Sequence, residues 1–232
     1  MVFVVAEIGV NWNGNIDLAK DMILNAKKAG CNAVKFQSFN EEIVANHPAK
    51  ESLLKCSISR SNIEKIDQLS RNIGIEWFCT PMYSEAVDFL EPYVNRYKIR
   101  EFDGRLLLEN KTSEIIQKIL DTGKEIIVSS HVSPRNSKYF KNKQIKWLYC
   151  VPKYPCKLKE LDFSRLSDFE GYSNHSVESI ASISAAILGA KIIEIHVTSN
   201  KKGNFIDNNV SLDFPELKET INQIRLSEEI KK

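Results

Sequence analysis

The chain has 232 residues, enough for one large domain or two small ones with a substantial core. Its 32 Lys and Arg nearly balance its 30 Asp and Glu, so composition points to neither nucleic acid nor a membrane surface as partner, and any anion site has to be built locally. No apolar run approaches the roughly 18 residues of a membrane span, MVFVVAEIG lacks the features of a signal peptide, and Cys31, Cys56, Cys79, Cys150 and Cys156 show no CxxC spacing and read as reduced thiols, so the expected location is the cytoplasm.

Residues 1–8 form a β-branched run that reads as a buried strand, ended by the turn-rich GVNWNGN. A helix over 16–29 follows, with Asn15 as N-cap and Gly30 just beyond its end. In the second strand, 32–39, a period of two sets Val34 and Phe36 on one face and Lys35 and Gln37 on the other. A lysine is unusual inside a parallel strand. Residues 40–59 read as a long irregular loop, of the kind that carries function or moves. Then come a helix over 61–72, a strand over 75–80 stopped by Pro81, and a short helix over 84–90. In the fourth strand, 96–100, Lys98 faces away from Tyr97 and Ile99. A helix over 112–121 and a strand over 125–130 follow, then a polar, basic stretch to 144 without a helix signal. The sixth strand, 145–150, leads into the proline-punctuated VPKYPCKLKELDF.

Residues 170–198 read as strand, helix, strand, with His175 and His196 at the two strand ends. The alternation in KIIEIHV sends Ile193, Ile195 and Val197 to one face and Ile192, Glu194 and His196 to the other. Two neutral imidazoles at one sheet edge form a half-shell for a divalent cation, or are hydrogen-bonded structural residues. A last helix over 215–230 closes the chain.

Strand and helix alternate eight times in the length of a compact barrel, so the expected fold is a (β/α)8 TIM barrel over 1–232 as a single domain. A doubly wound open sheet is the alternative, weakened by the absence of GxGxxG after the first strand. In such a barrel the inward residues at the carboxyl edge are Glu7, Lys35, Gln37, Thr80, Lys98, Ser173, His175, Glu194 and His196. Some would form interior ion pairs, Glu194 with a lysine for instance. As a set, two lysines with hydroxyls suit phosphate or carboxylate, and two histidines suit a metal.

In order, AEIGVNWNG, VKFQSF, FCTP, DFLE, YKI, GYSNHS, IIEIHVT and DNNVSL resemble the sialic acid synthase family of barrel enzymes. The resemblance implies condensation of phosphoenolpyruvate with an N-acyl mannosamine-type amino sugar, or its 6-phosphate, to a nonulosonic acid. It implies His175 and His196 as ligands of a divalent metal, Mn2+ with Mg2+ or Co2+ as alternatives. Lys35, Thr80, Lys98 and Ser173 match residues that contact phosphoenolpyruvate, and Glu7 matches a glutamate near the sugar and the attacked water. Gln37, Tyr154 and Asp207 fall on the acceptor side. A homodimer is implied, and the family commonly carries a small antifreeze-like lid domain after the barrel; the alternatives for this chain are a separate lid protein as partner, an acceptor held differently, or a reduced relative.

Several positions depart from the family pattern. Trp12 replaces a histidine, Tyr149 another, Asn174 an aspartate, and Asn208 stands where a histidine is common. Arg100, Glu101, Phe102 and Asp103 replace a small run, with Asp103 standing in for its catalytic glutamate and Glu101 set where it would repel phosphate. Pro152 falls where a small polar residue contacts the donor. These changes leave two alternatives beside the synthase: a non-catalytic barrel that binds a sugar or a partner, and an aldolase or isomerase acting on another phosphorylated sugar.

Overall fold

The computed structural model describes residues 1–230. Eight short strands run parallel and pair in chain order: β1 (Phe3–Gly9), β2 (Ala33–Ser38), β3 (Glu76–Pro81), β4 (Arg96–Ile99), β5 (Glu125–Ser130), β6 (Ile145–Tyr149), β7 (Gly171–Asn174) and β8 (Ile192–His196). The eighth strand pairs back onto the first, so the sheet closes as the (β/α)8 reading expects and the open-sheet alternative falls. Closure leaves no unpaired strand edge.

Alternation along the strands explains the two layers. Val4, Ala6 and Ile8 of β1, with Val34 and Phe36 of β2, are fully buried against the outer shell, while Glu7 and Lys35 pair in register on the inner face. The outer shell comprises α1 (Ile16–Ala29), α2 (Lys50–Cys56), α3 (Ile63–Ile73), α4 (Ser84–Leu90), α5 (Glu101–Leu108), α6 (Glu114–Asp121), α7 (Ile180–Ile187) and α8 (Phe214–Glu229). Asn15 caps α1 by accepting from the backbone of Asp17 and Leu18, and Gly30 ends it, as the sequence pattern predicts.

Two helices depart from the sequence reading. The segment expected to be an irregular loop carries α2, held in place by Trp12, whose buried indole donates to the carbonyl of Cys56 at 2.9 Å. The other, α5, follows β4 directly and is interrupted in sequence by Gly104, which lowers helix propensity. Packing decides the matter: a Cβ on Gly104 would stand 2.8 Å from Val128 and 3.0 Å from the Ser129 carbonyl, so only glycine lets α5 lie this close to β5. Between β5 and β7 the described residues carry 3-10 turns and no α-helix.

Candidate active site

Barrel closure decides which polar side chains meet. Glu7 stands in register with Lys35 on one side and His196 on the other, and Ser173 stands in register with Glu194. β4 and β8 face each other across the ring of eight, and Lys98 Nζ reaches over the bore to Glu194 Oε1 at 2.7 Å. Ser173 Oγ donates to that same oxygen at 2.8 Å. Lys35 Nζ lies 3.0 Å from Glu7 Oε2 and 3.4 Å from Glu194 Oε2, and donates to Thr80 Oγ1 at 3.4 Å. Gln37 completes the lattice by donating to Glu7 Oε1 at 2.8 Å.

Buried charges in this arrangement perturb one another. Burial raises the Glu7 carboxyl, and Glu194 beside it pushes the same way against the pull of Lys35. Burial would also raise Glu194, but Lys35 and Lys98 outweigh it and hold that carboxyl well below the usual range. The two ammonium groups split likewise. Burial depresses Lys98 despite Glu194, whereas for Lys35 the combined pull of Glu194 and Glu7 overcomes burial and raises it. Two carboxylates with opposite shifts around one lysine are the pattern that separates a proton acceptor from a fixed counter-charge.

The histidines form the second part of the site. Their ring centroids are 5.5 Å apart, close to the roughly 5 Å expected of two imidazoles about 2.1 Å from a shared ion. His175 Nδ1 lies 2.6 Å from the Val151 carbonyl, which assigns the proton to that nitrogen and leaves Nε2 with its lone pair. Tyr154 Oη lies 2.9 Å from Nε2 and donates to it. Burial, with His196 alongside, pushes the His175 imidazole down to about 3, so the ring is neutral. His196 Nδ1 is buried without a hydrogen-bond partner, with Asp207 Oδ2 at 3.6 Å. Burial works to raise Asp207, but His196 outweighs it and keeps the carboxyl below its ordinary value. Asn11 fixes this loop by accepting from the Asp207 backbone N–H at 3.0 Å. The orphaned nitrogen of His196 and the His175 lone pair, once the Tyr154 hydroxyl gives it up, fit a divalent cation on a two-histidine half-shell; no three His, Cys, Asp or Glu side chains cluster as a metal set among the described residues.

Lattice and histidines open into one cavity of about 390 Å3. Glu7, Lys35, Gln37, Thr80, Lys98, Tyr154, Ser173, His175, His196 and Asp207 all line it. Asp103 does not. Its carboxylate is taken by Arg100, the residue just before α5, so the role assigned to it from the sequence is corrected. Glu101 does line the cavity, and its charge is met by a two-pronged pair with Arg105, at 3.0 and 2.8 Å, rather than left to repel an anion. Glu194, which the sequence reading paired with a lysine in the interior, is the hub of the lattice and meets two lysines, Lys35 and Lys98. Sequence reasoning missed Arg100 and His47, which line the mouth. Arg100 follows Lys98 by two positions, which was a usable signal; His47 lies on the long loop, where no pattern marks it.

The departures from the family pattern divide in the same way. Arg100, Glu101, Phe102 and Pro152 line the cavity, but Trp12, Tyr149, Asn174 and Asn208 do not. Tyr149 packs among Phe163, Phe169 and Tyr172, and Asn174 accepts from the Tyr172 hydroxyl at 2.9 Å. Those two are structural residues.

Comparison with known proteins matches residues 22–232 to the NeuB family. The chain belongs to the NeuB family. It is 30% identical to an uncharacterized protein of Methanocaldococcus jannaschii over 98% of this chain and 71% of that one. It is 28% identical to the N,N'-diacetyllegionaminic acid synthase of Legionella pneumophila over 98% of this chain and 72% of the relative. Among solved structures, the N-acetylneuraminic acid synthetase of Leptospira borgpetersenii, in complex with citrate, superposes with a TM-score of 0.83 at 26% identity, covering 97% of this chain and 83% of that one. This NeuB-family barrel is thus similar to sialic-type synthases in both sequence and fold.

Proposed function

We propose that this NeuB-family chain is a sialic-type synthase that condenses phosphoenolpyruvate with an N-acyl mannosamine-type sugar, or its 6-phosphate, giving a nonulosonic acid and inorganic phosphate. The observation that carries this reading is a single cavity at the carboxyl edge of the barrel that unites Lys35, Lys98, Glu7 and the paired histidines. In the reaction, C3 of the enol bonds to the open-chain aldehyde carbon, whose oxygen takes a proton. Water adds at C2, and the C2–O bond to phosphate breaks. Lys35 and Lys98 hold the donor's carboxylate and phosphate in line with that carbon, which turns an encounter of two molecules into an oriented one. To do so they share their charge with the donor, and Glu194 keeps both anchored. Glu7, whose carboxyl is raised, orients the attacking water and accepts its proton. Tyr154, Gln37 and Asp207 face the acceptor. His175 and His196 would hold a divalent ion, Mn2+ first among the candidates, which when bound supplies Lewis-acid polarisation of the aldehyde oxygen.

The test supplies Mn2+, phosphoenolpyruvate and a panel of N-acyl mannosamines and their 6-phosphates, following phosphate release together with the nonulosonic acid. Release that requires one acceptor, and vanishes in His196→Ala, supports the synthase and identifies its substrate. One observation favours a second reading, a non-catalytic barrel. Both inner lysines already have carboxylate partners, and Tyr154 occupies the His175 lone pair. Failure to bind phosphoenolpyruvate at all would select that reading.

A further inference from the structure

The charges that line the cavity differ in where their partners sit. Lys35 and Lys98 are paired with Glu7 and Glu194, which themselves line the cavity, so an incoming anion meets each ammonium together with its carboxylate. Arg100 lines the same cavity, but its partner Asp103 does not. Asp103 takes Nε and Nη2 of the guanidinium and leaves Nη1 for a ligand. The Phe102 ring, 5.6 Å away, braces the group from one side. Glu101, the acidic neighbour at the mouth, has both carboxylate oxygens engaged by Arg105.

Two further donors sit beside Arg100. Lys98 lies two positions earlier, within β4, and the extended backbone of Arg100 just past the strand keeps the same phase, so both line the cavity, with Lys98 roughly 7 Å deeper. On the neighbouring strand Ile99 is in register with Val128, which sets Ser129 next to Arg100. Ser129 lines the cavity, and its buried hydroxyl has no hydrogen-bond partner beyond the weak thiol of Cys150. A buried hydroxyl without an acceptor costs free energy that a ligand oxygen would recover.

We infer that Arg100 determines the specificity of this cavity for a phosphate monoester, with the Ser129 hydroxyl beside it and Lys98 beneath it meeting the other oxygens. Three donors set at different heights around one cavity suit a tetrahedral oxyanion better than a planar carboxylate, and a guanidinium pre-set by Asp103 loses little freedom on binding. The inference rests on the synthase reading in one respect: there, the phosphate is that of the donor.

The experiment measures binding of inorganic phosphate and of phosphoenolpyruvate to the full chain by calorimetry, with and without Mn2+, in wild type, Arg100→Ala, Arg100→Lys and the remote surface control Lys111→Ala. Loss of a charge-assisted contact predicts binding about ten- to a hundredfold weaker in Arg100→Ala, partial recovery in Arg100→Lys, and no change in the control. In turnover, KM for phosphoenolpyruvate rises more than kcat falls, and KM for the acceptor stays put. Equal affinity for both anions in wild type and Arg100→Ala would overturn the inference, as would a wild type that binds neither. Turnover of phosphoenolpyruvate that is indifferent to Arg100 sinks this inference and leaves the synthase standing. Arg100-dependent binding of phosphate without any turnover of phosphoenolpyruvate does the reverse.

Discussion

The floor of the cavity and its mouth are built on different principles. On the floor, Glu7, Lys35, Lys98 and Glu194 extend from strands, are almost wholly buried, and neutralise one another across the bore. At the mouth, Tyr154, Asp207 and Arg100 come from connecting segments, are more exposed, and are held by contacts with near neighbours rather than by a shared lattice of buried charges. Rigidity and responsiveness are thus separated in space. The floor holds charge in place before any ligand arrives, and the mouth has contacts weak enough to exchange for it.

The sharpest way to break this contrast is at the hub of the floor. Glu194→Ala strands Lys98 with no carboxylate and leaves Lys35 with Glu7 alone, so denaturant unfolding should show a loss of about 3–5 kcal/mol, the cost of uncompensated buried charge. A loss below about 1 kcal/mol would mean the floor relaxes like the mouth. A smaller effect is expected where mouth and shell join. Trp12→Phe removes the donor to the buried Cys56 carbonyl that seats α2, and should cost about 1–3 kcal/mol in the same assay. An unchanged midpoint would show that α2 is held by other contacts. The smallest effect sharpens the contrast at the mouth. Tyr154→Phe deletes the hydroxyl on His175 Nε2, so Mn2+ no longer competes with it, and affinity read from the paramagnetic resonance of free Mn2+ should rise about two- to tenfold. Equal or weaker affinity would make Tyr154 a support of the histidines rather than their occupant.

The same division governs what could be read in advance. Strand residues were legible because a period of two sorts them by face: Lys35, Lys98, Glu194 and His196 each stood out as polar residues on the inner phase. Asp103 was misread because the family pattern has a glutamate at its place, whereas α5 turns the Asp103 carboxylate to Arg100. A helix interrupted by Gly104 carries little local signal, so neither α5 nor the pairs Arg100–Asp103 and Glu101–Arg105 could be anticipated.

The amino-acid order by itself determined the eight-fold alternation, the barrel and the inward phase of its polar residues, because these follow from local periodicity and capping. Which charges meet was decided only in three dimensions. The Lys98–Glu194 pair joins residues far apart in the chain through strands on opposite sides of the ring, and Tyr154 reaches His175 through an irregular segment. Contacts across the bore and the packing of loops are cooperative and non-local, so no window of sequence contains them.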